Sequence, residues 1–273
     1  MPSEKTRAIV LKVVEFSETS CILTLFTEDF GKVGALAKGA RRPKSAFEGA
    51  LDLLALVRIV FLRKSSDALD LLTEARLERR FRAAQRELSR LYAGYYVAEL
   101  LNELTDTGDP HPGLFAVADQ TLLNLDEGRS VQGSILHFEL AALRHAGHMP
   151  SLDDCASCGR EVAMHVDSHG KSSRIAFGMT AGGVLCESCK SGKRSVVSVH
   201  RSVIAALRAA AIAVEDSIAP ANDAENFAVP SGGNLLPLDE SIWGELRAVM
   251  GNYFAHLTGH RLKMSSYLAN PTG

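Results

Sequence analysis

The sequence lacks a long hydrophobic run. No segment approaches the ~20 uninterrupted apolar residues of a membrane-spanning helix, and the longest apolar stretch, Val203 to Val214, carries Arg208 and reads as a helix of a water-facing core. The first sixteen residues mix Lys and Glu into their apolar run and lack the core of a secretion signal, so a cytoplasmic location with no membrane association is expected. A P-loop is missing too: Pro43 stands where GxxxxGK[ST] needs glycine, and no strand-loop-helix context surrounds it. His137, His145 and His148 have no partner arrangement that points to catalysis, and a helical surface is their expected home. Strong overall charge is absent: the formal net is −2, which taken alone argues against a polyanion-binding protein. What remains, 46% hydrophobic and 23% charged over 273 residues, is the composition of an ordinary globular chain of one large or two to three small domains.

Cysteine is scarce, and its placement is informative. Four of five cysteines fall in Cys155-Ala-Ser-Cys158-Gly159 and Cys186-Glu-Ser-Cys189. Two CxxC pairs at such a separation are the sequence form of a four-thiolate tetrahedral zinc site, because two intervening residues let both sulfurs of one turn face the same ion. Gly159 and Gly182-Gly183 supply the backbone freedom that tight metal-binding turns need. Disulfides would require an oxidising compartment, and a redox CxxC accounts for one pair but not for two. His165 and His169, between the pairs, could replace a thiolate, but read better as loop residues. Four protein ligands leave no open position for a substrate water, so the expected ion is structural zinc held by Cys155, Cys158, Cys186 and Cys189. The fifth cysteine, Cys21, lies in an apolar run and is expected to be a buried thiol.

Charge is unevenly distributed. Residues 1–90 hold 17 Lys and Arg against 12 Asp and Glu, a net of +5, while residues 91–273 hold 13 against 20, a net of −7. Such asymmetry fits a polyanion-binding face joined to an acidic scaffold. The sharpest concentration is Lys38-Gly-Ala-Arg41-Arg42-Pro-Lys44, four cations in seven residues of a Gly- and Pro-containing loop. Such a loop can follow phosphates, or simply be solvated. Arg58, Arg63 and Lys64 could extend the patch.

In chain order, Ala8–Val14, Thr19–Thr27, Phe30–Ala37, Leu54–Leu62 and Leu69–Thr73 read as five short strands, rich in β-branched residues and bounded by turn signals. Five strands in about seventy residues suit a small closed barrel, either an OB-fold or an SH3-like barrel. From Glu74 to Leu104 the period reads as helical, its first half studded with Arg76, Arg79, Arg80, Arg82, Arg86 and Arg90. Tyr92, Tyr95 and Tyr96 resemble a base-stacking platform, but the helical phase puts Tyr95 in the core, and core is the reading for all three. Helices are expected over Leu114–Leu125, Val131–Ala146, Val199–Val214 and Asp239–Leu257, the last capped by Asp239 or Ser241, with Leu262–Leu268 as a closing segment and 215–237 as a mobile surface loop. The fold class is therefore α+β: a barrel over 1–75, a helical domain over 76–150 and 195–273, and a zinc module over 151–194 inserted in it.

This order of parts resembles the RecO family of bacterial recombination mediators and DNA-repair proteins. The resemblance rests on Gly39-Ala-Arg41-Arg42-Pro-Lys44-Ser45-Ala-Phe47, on Ala93-Gly-Tyr-Tyr-Val-Ala-Glu99-Leu100, on Phe138-Glu139-Leu140 followed by Gly147, Pro150 and the first CxxCG, and on Lys263 to Leu268. It implies an OB-fold barrel and a non-enzymatic protein, acting at the nucleoid, that binds single- and double-stranded DNA and anneals complementary strands. Partners implied are RecR, the C-terminal tail of single-stranded DNA-binding protein, and RecA, whose loading the family assists. Lys38, Arg41, Arg42 and Lys44 are then the expected phosphate contacts, with Arg58, Arg63, Lys64, Arg76, Arg79 and Arg80 widening the track. Two other classes compete. A zinc-stabilised interaction or transcription-regulatory adaptor would use the basic half only as solvated surface. A zinc deaminase would need His-x-Glu with Pro-Cys-x-x-Cys; His137-Phe138-Glu139 fits the first half, but neither cysteine pair follows a proline.

Overall fold

The computed structural model describes residues 2–47, 49–64, 68–83, 87–162, 174–218 and 240–268. The chain divides into two compact units, Met1–Val131 and Gln132–Gly273.

The first unit is built on five strands: β1 (Ser3–Glu15), β2 (Cys21–Thr27), β3 (Gly31–Ala37), β4 (Leu56–Leu62) and β5 (Asp70–Arg79). They close into a barrel in the order β1-β2-β3-β5-β4, with β1 pairing back onto β4 and β3 running parallel to β5. This Greek-key closure is that of the OB-fold rather than an SH3-like barrel. Alternation decides which side chains enter it: Cys21, Leu23 and Leu25 of β2, Val33, Ala35 and Ala37 of β3, and Val57, Ile59 and Phe61 of β4 form the interior. Cys21 is buried there as expected, and burial raises its thiol pKa.

Two expectations are corrected at this point. Residues from Glu74 to Arg79 are strand, not the start of a helix, so Arg76 and Arg79 stand on β5. The register shifts between Val60 and Phe61, and this irregularity puts Leu72, Ala75 and Leu77 against the core. The three-residue step from Leu72 to Ala75 interrupts the strand period of two that resumes from Ala75 to Leu77, and pairing with β4 identifies the segment as a strand. Helix α1 begins at Leu88 and ends at Leu104, and its buried tyrosine is Tyr96, with Tyr92 and Tyr95 only half-buried. Its buried face, with Ala93, Val97, Leu100 and Leu101, packs against β1 and against α2 (Pro112–Asp126). Phe115 of α2 meets Phe26 on the outside of β2 with ring centres 6.0 Å apart.

The second unit contains α3 (Val131–His145), a three-stranded sheet of β6 (Arg174–Gly178), β7 (Gly183–Leu185) and β8 (Val196–His200) in the order β7-β6-β8, the short α4 (Glu187–Lys190), α5 (Arg201–Ile218), α6 (Glu240–Thr258) and a closing 3-10 helix, Met264–Leu268. Val199 belongs to β8 rather than to the helix that follows it, and Glu215 is still on α5. The rest of the expected 215–237 loop, beyond α5, lies outside the described residues, as do Asp239, Arg86, His165 and His169. Ser241 sits inside α6 and is not its cap. His137 and His145 are half-buried on α3, and His148 is exposed just beyond it.

Candidate metal centre and candidate nucleic-acid interface

The structure brings the four expected cysteines together. Cys155 and Cys158 lie in the turn after Pro150, Cys186 and Cys189 at the start of α4 after β7. Gly159, at φ +71, lets the first turn fold back so that its N–H donates to Cys155 O at 2.8 Å. Gly183 approaches the backbone of Ser151 so closely that a Cβ would stand 2.2 Å from its carbonyl oxygen, so only glycine lets β7 lie beside the first cysteine turn. The four sulfurs all lie within 4.8 Å of one another, and those of Cys158 and Cys186 are 3.8 Å apart. A tetrahedral ion with metal–sulfur bonds of about 2.3 Å sets its ligands about 3.8 Å apart, so the cluster has the dimensions and the soft donor set to hold a metal ion.

The surroundings favour thiolate at Cys155 and Cys186, whereas hydrogen bonding with the sulfurs of Cys186 and Cys158 pushes the Cys189 thiol up to about 11. Burial opposes ionisation of Cys155, but hydrogen bonds from the backbone of Cys186, Ser157 and Cys158 outweigh it and hold the thiol down to about 6. The Ser188 hydroxyl lies 3.1 Å from Cys186 Sγ and lowers that thiol as well. Arg160, not anticipated from the sequence, donates through Nε to Cys158 Sγ at 3.5 Å and through Nη2 to Ser188 Oγ at 2.9 Å. A cation beside the sulfurs offsets the charge that four thiolates would leave around a divalent ion. Its position directly after CxxCG was the available signal.

Glu139 is elsewhere engaged. It is fully buried on α3, and its carboxylate accepts from Arg247 of α6 at 2.6 Å. The base that a deaminase would need from His137-Phe138-Glu139 is thus part of a buried ion pair, and the four-cysteine cluster does not include it.

In the first unit, the segment after β3 presents Lys38, Arg41, Arg42 and Lys44 as exposed side chains. Arg41 pairs with Glu15 at 3.0 Å, whereas Lys38, Arg42 and Lys44 have no ion-pair partner among the described residues. Ser45 Oγ donates to Ala40 O at 2.9 Å, and Phe47 is buried in the barrel core, so the loop is fastened at its far end. Strand register aligns three more cations: Arg7 of β1 lies opposite Arg58 of β4, and Arg58 opposite Arg76 of β5. Arg7 was missed in sequence, where nothing marks it as facing outward beside Arg58.

The widened track is partly self-neutralised. Arg58 pairs with Glu78 at 2.6 Å, Arg7 with Glu28 at 2.7 Å, and Arg79 with Asp119. Arg80 reaches Asp52 at 3.8 Å and donates to Gly49 O at 3.1 Å. Arg63 lies over the Phe30 ring at 5.9 Å, Lys64 is half-buried, and Arg76 is exposed without an ion-pair partner among the described residues. Among the described residues the exposed cations of this unit without an ion-pair partner thus include Lys38, Arg42 and Lys44, grouped on the β3–β4 loop, and Arg76, Lys5, Lys12 and Arg82, which stand singly.

Among the described residues no helix is long and apolar enough to cross a membrane. Comparison with known proteins gives consistent matches along the chain. Residues 1–81 match the family described as Recombination protein O N terminal, and residues 85–223 match Recombination protein O C terminal. A DNA repair protein RecO of Rhodopirellula baltica is 40% identical over 96% of this chain and 97% of its own length. Proteins of the same name from Myxococcus xanthus and Anaeromyxobacter dehalogenans are 33% and 31% identical, over 96% and 98% of this chain and 95% and 96% of their own lengths.

Proposed function

The chain belongs to the RecO family of DNA repair proteins, and from that membership we propose that it is a non-enzymatic recombination mediator whose barrel binds DNA through the β3–β4 loop. Its role in DNA repair by recombination follows from the family; the rest is a reading of the site. The observation that carries it is the loop itself: four exposed cations within seven residues, three of them without an ion-pair partner among the described residues.

Lys38, Arg41, Arg42 and Lys44 contact phosphates, each contact releasing a counterion and giving salt-dependent affinity that tolerates sequence. Arg76 extends the contact, while Arg58, Arg63, Lys64, Arg79 and Arg80 join it to the extent that DNA displaces their present partners. Binding both single and double strands in this way allows the protein to bring complementary strands together and anneal them. With RecR and the C-terminal tail of single-stranded DNA-binding protein, it assists RecA loading in the cytoplasm, at the nucleoid. The ion at the cysteine cluster is zinc, supported by the tetrahedral fit and all-thiolate donors, and it staples the fold. Four thiolates would fill its coordination sphere, which supports a protein without metal-dependent catalysis.

The test is binding of labelled single-stranded DNA across a salt series, with Arg41→Glu/Arg42→Glu beside the unaltered protein. Steeply salt-dependent binding that the variant loses is expected. Binding that is absent, or flat with salt, would point instead to a zinc-stabilised interaction adaptor.

A further inference from the structure

We infer that the hairpin joining β1 to β2 holds a stacking position for an unpaired base, with Phe16 as its platform, so that the site takes a single strand in preference to a duplex. This rests on the reading that the β3–β4 loop carries phosphates, and adds to it how the bases are received.

Phe16 is 62% exposed, more than any other large apolar side chain among the described residues. Its backbone is held in a closed turn. Its N–H donates to Ser20 O at 3.0 Å, Ser17 N–H donates to the same oxygen at 3.2 Å, and Ser20 N–H donates to Ser17 Oγ at 3.2 Å, so the turn is closed by its own hydrogen bonds. The hairpin is also tied to the basic loop. Thr19 O accepts from Arg41 N–H at 3.0 Å, Ser20 Oγ accepts from Gly39 N–H at 3.3 Å, and the Glu15 carboxylate, one residue before Phe16, meets Arg41 Nη1 at 3.0 Å. An exposed phenyl ring and a cluster of exposed cations are thus held at the two sides of one short set of hydrogen bonds.

The surface beside the ring continues the apolar character. Val14, two residues back in the chain, lies opposite Ile22 of β2; Ile22 lies opposite Leu36 of β3, and Leu36 opposite Leu71 of β5. These four point outward, since their neighbours Cys21, Leu23, Ala35 and Ala37 fill the interior. Val14 is 43% exposed, and Ile22, Leu36 and Leu71 are half-buried. An apolar row crossing the outer face of the barrel therefore ends at Phe16 with cations along one edge.

That combination selects its occupant. Cations at the margin call for an anionic backbone, and the exposed ring and apolar row call for flat apolar faces repeated along it. A single nucleic-acid strand offers both, whereas a duplex keeps its base faces stacked inside and can meet only the cations. The first hairpin of an OB-fold is also where such barrels commonly receive oligonucleotides.

The experiment uses the full-length protein and three probes of equal length: oligothymidylate, an abasic strand, and a blunt duplex. Loss of one stacked base lowers affinity about 5- to 150-fold. Phe16→Ala is expected to weaken oligothymidylate binding by at least about 5-fold, with an unchanged salt slope and unchanged binding of the abasic strand and the duplex. In Phe16→Trp, binding is retained and the new indole is quenched by oligothymidylate but not by the abasic strand; the native Trp243 is buried and supplies a constant background. Oligothymidylate binding by Phe16→Ala equal to the unaltered protein, equal losses on all three probes, or an unresponsive Trp at position 16 would overturn the inference. If Arg41→Glu/Arg42→Glu abolishes binding while Phe16→Ala leaves it intact, the inference falls and the phosphate reading stands. If Arg41→Glu/Arg42→Glu binds like the unaltered protein, the phosphate reading fails and takes the stacking position with it.

Discussion

Among the described residues Glu139 and Arg247 form the most buried ion pair: they meet at 2.6 Å with side chains 0% and 3% exposed. Removing the charge of one leaves the other uncompensated in the core, at a cost of about 3–5 kcal/mol, whereas replacing both by apolar side chains of similar volume can be nearly neutral. Glu139→Gln is therefore expected to lower the unfolding free energy of the second unit, read from the shift of its denaturant midpoint, by an amount of that order, and Glu139→Leu/Arg247→Met by much less. An unchanged midpoint in Glu139→Gln would mean that the buried charge is compensated by other means. At the surface, charge pairs act more weakly and through pH. The Glu28 carboxyl is held below the usual carboxylate range, chiefly by the hydrogen bond from Arg7 and further by the charges of Arg7 and Arg58, against the opposing effect of partial burial. A depressed acid stabilises the fold fully above its unfolded pKa, and that contribution is lost as pH falls through the folded one. Barrel stability should therefore decline on acidification below the ordinary carboxylate range, and Glu28→Gln should flatten that part of the profile while lowering stability at neutral pH. Parallel acid limbs in the two proteins would remove Glu28 from the account.

At the scale of elements, the metal module makes the clearest demand. Its strands are three to five residues long, its helix α4 has four, and hydrogen bonds such as Ala156 N–H to Val184 O at 2.9 Å hold the cysteine turn to β7. Elements this short do not sustain themselves, so a metal ion held by the four cysteines would contribute its binding free energy to folding. Zinc released by a chelator should be measurable at about one per chain, and Cys155→Ser should lose it. A loss of about 3 kcal/mol would lower the unfolding temperature by roughly 10 °C. Full thermal stability of Cys155→Ser, with no metal released from the unaltered protein, would sink the staple. This module was legible in sequence because CxxC spacing is set by local geometry, and helices α2, α3 and α6 were legible because their apolar period and their breakers are local too. The continuation of β5 to Arg79 was not, since a register shift against β4 breaks the alternation between Leu72 and Ala75. Nor was the choice between OB and SH3-like barrels, which depends on β3 meeting β5 and β1 meeting β4 across long sequence separations. Within the basic patch, sequence gave the identity of the cations but not their pairing: that Glu78, Asp119 and Asp52 neutralise Arg58, Arg79 and Arg80 is a property of the folded barrel.

For the molecule as a whole, the net charge of −2 conceals +5 in residues 1–90 and −7 in residues 91–273. At physiological salt, charges farther from a phosphate than a Debye length of about 8 Å are largely screened, while the cations it touches act through released counterions. The salt slope therefore counts local contacts and is insensitive to the total. If the four loop cations each neutralise one phosphate of a single strand, the slope of log affinity against log salt is about −0.7 per contact, or roughly −3 in all. Arg41→Glu/Arg42→Glu should reduce its magnitude by about 1.4 or more, since reversed charges also repel the neighbouring phosphates. Arg58→Gln should change it little, because the Glu78 carboxylate already occupies that guanidinium. Arg76→Gln, which removes an exposed cation without an ion-pair partner among the described residues, should reduce it by up to about 0.7. The ordering of the three variants carries the content. A larger effect at Arg58 than at Arg41 and Arg42 would move the DNA from the loop to the β1–β4–β5 face, where Arg7, Arg58 and Arg76 stand in register and where binding would first have to break the pairs with Glu28 and Glu78.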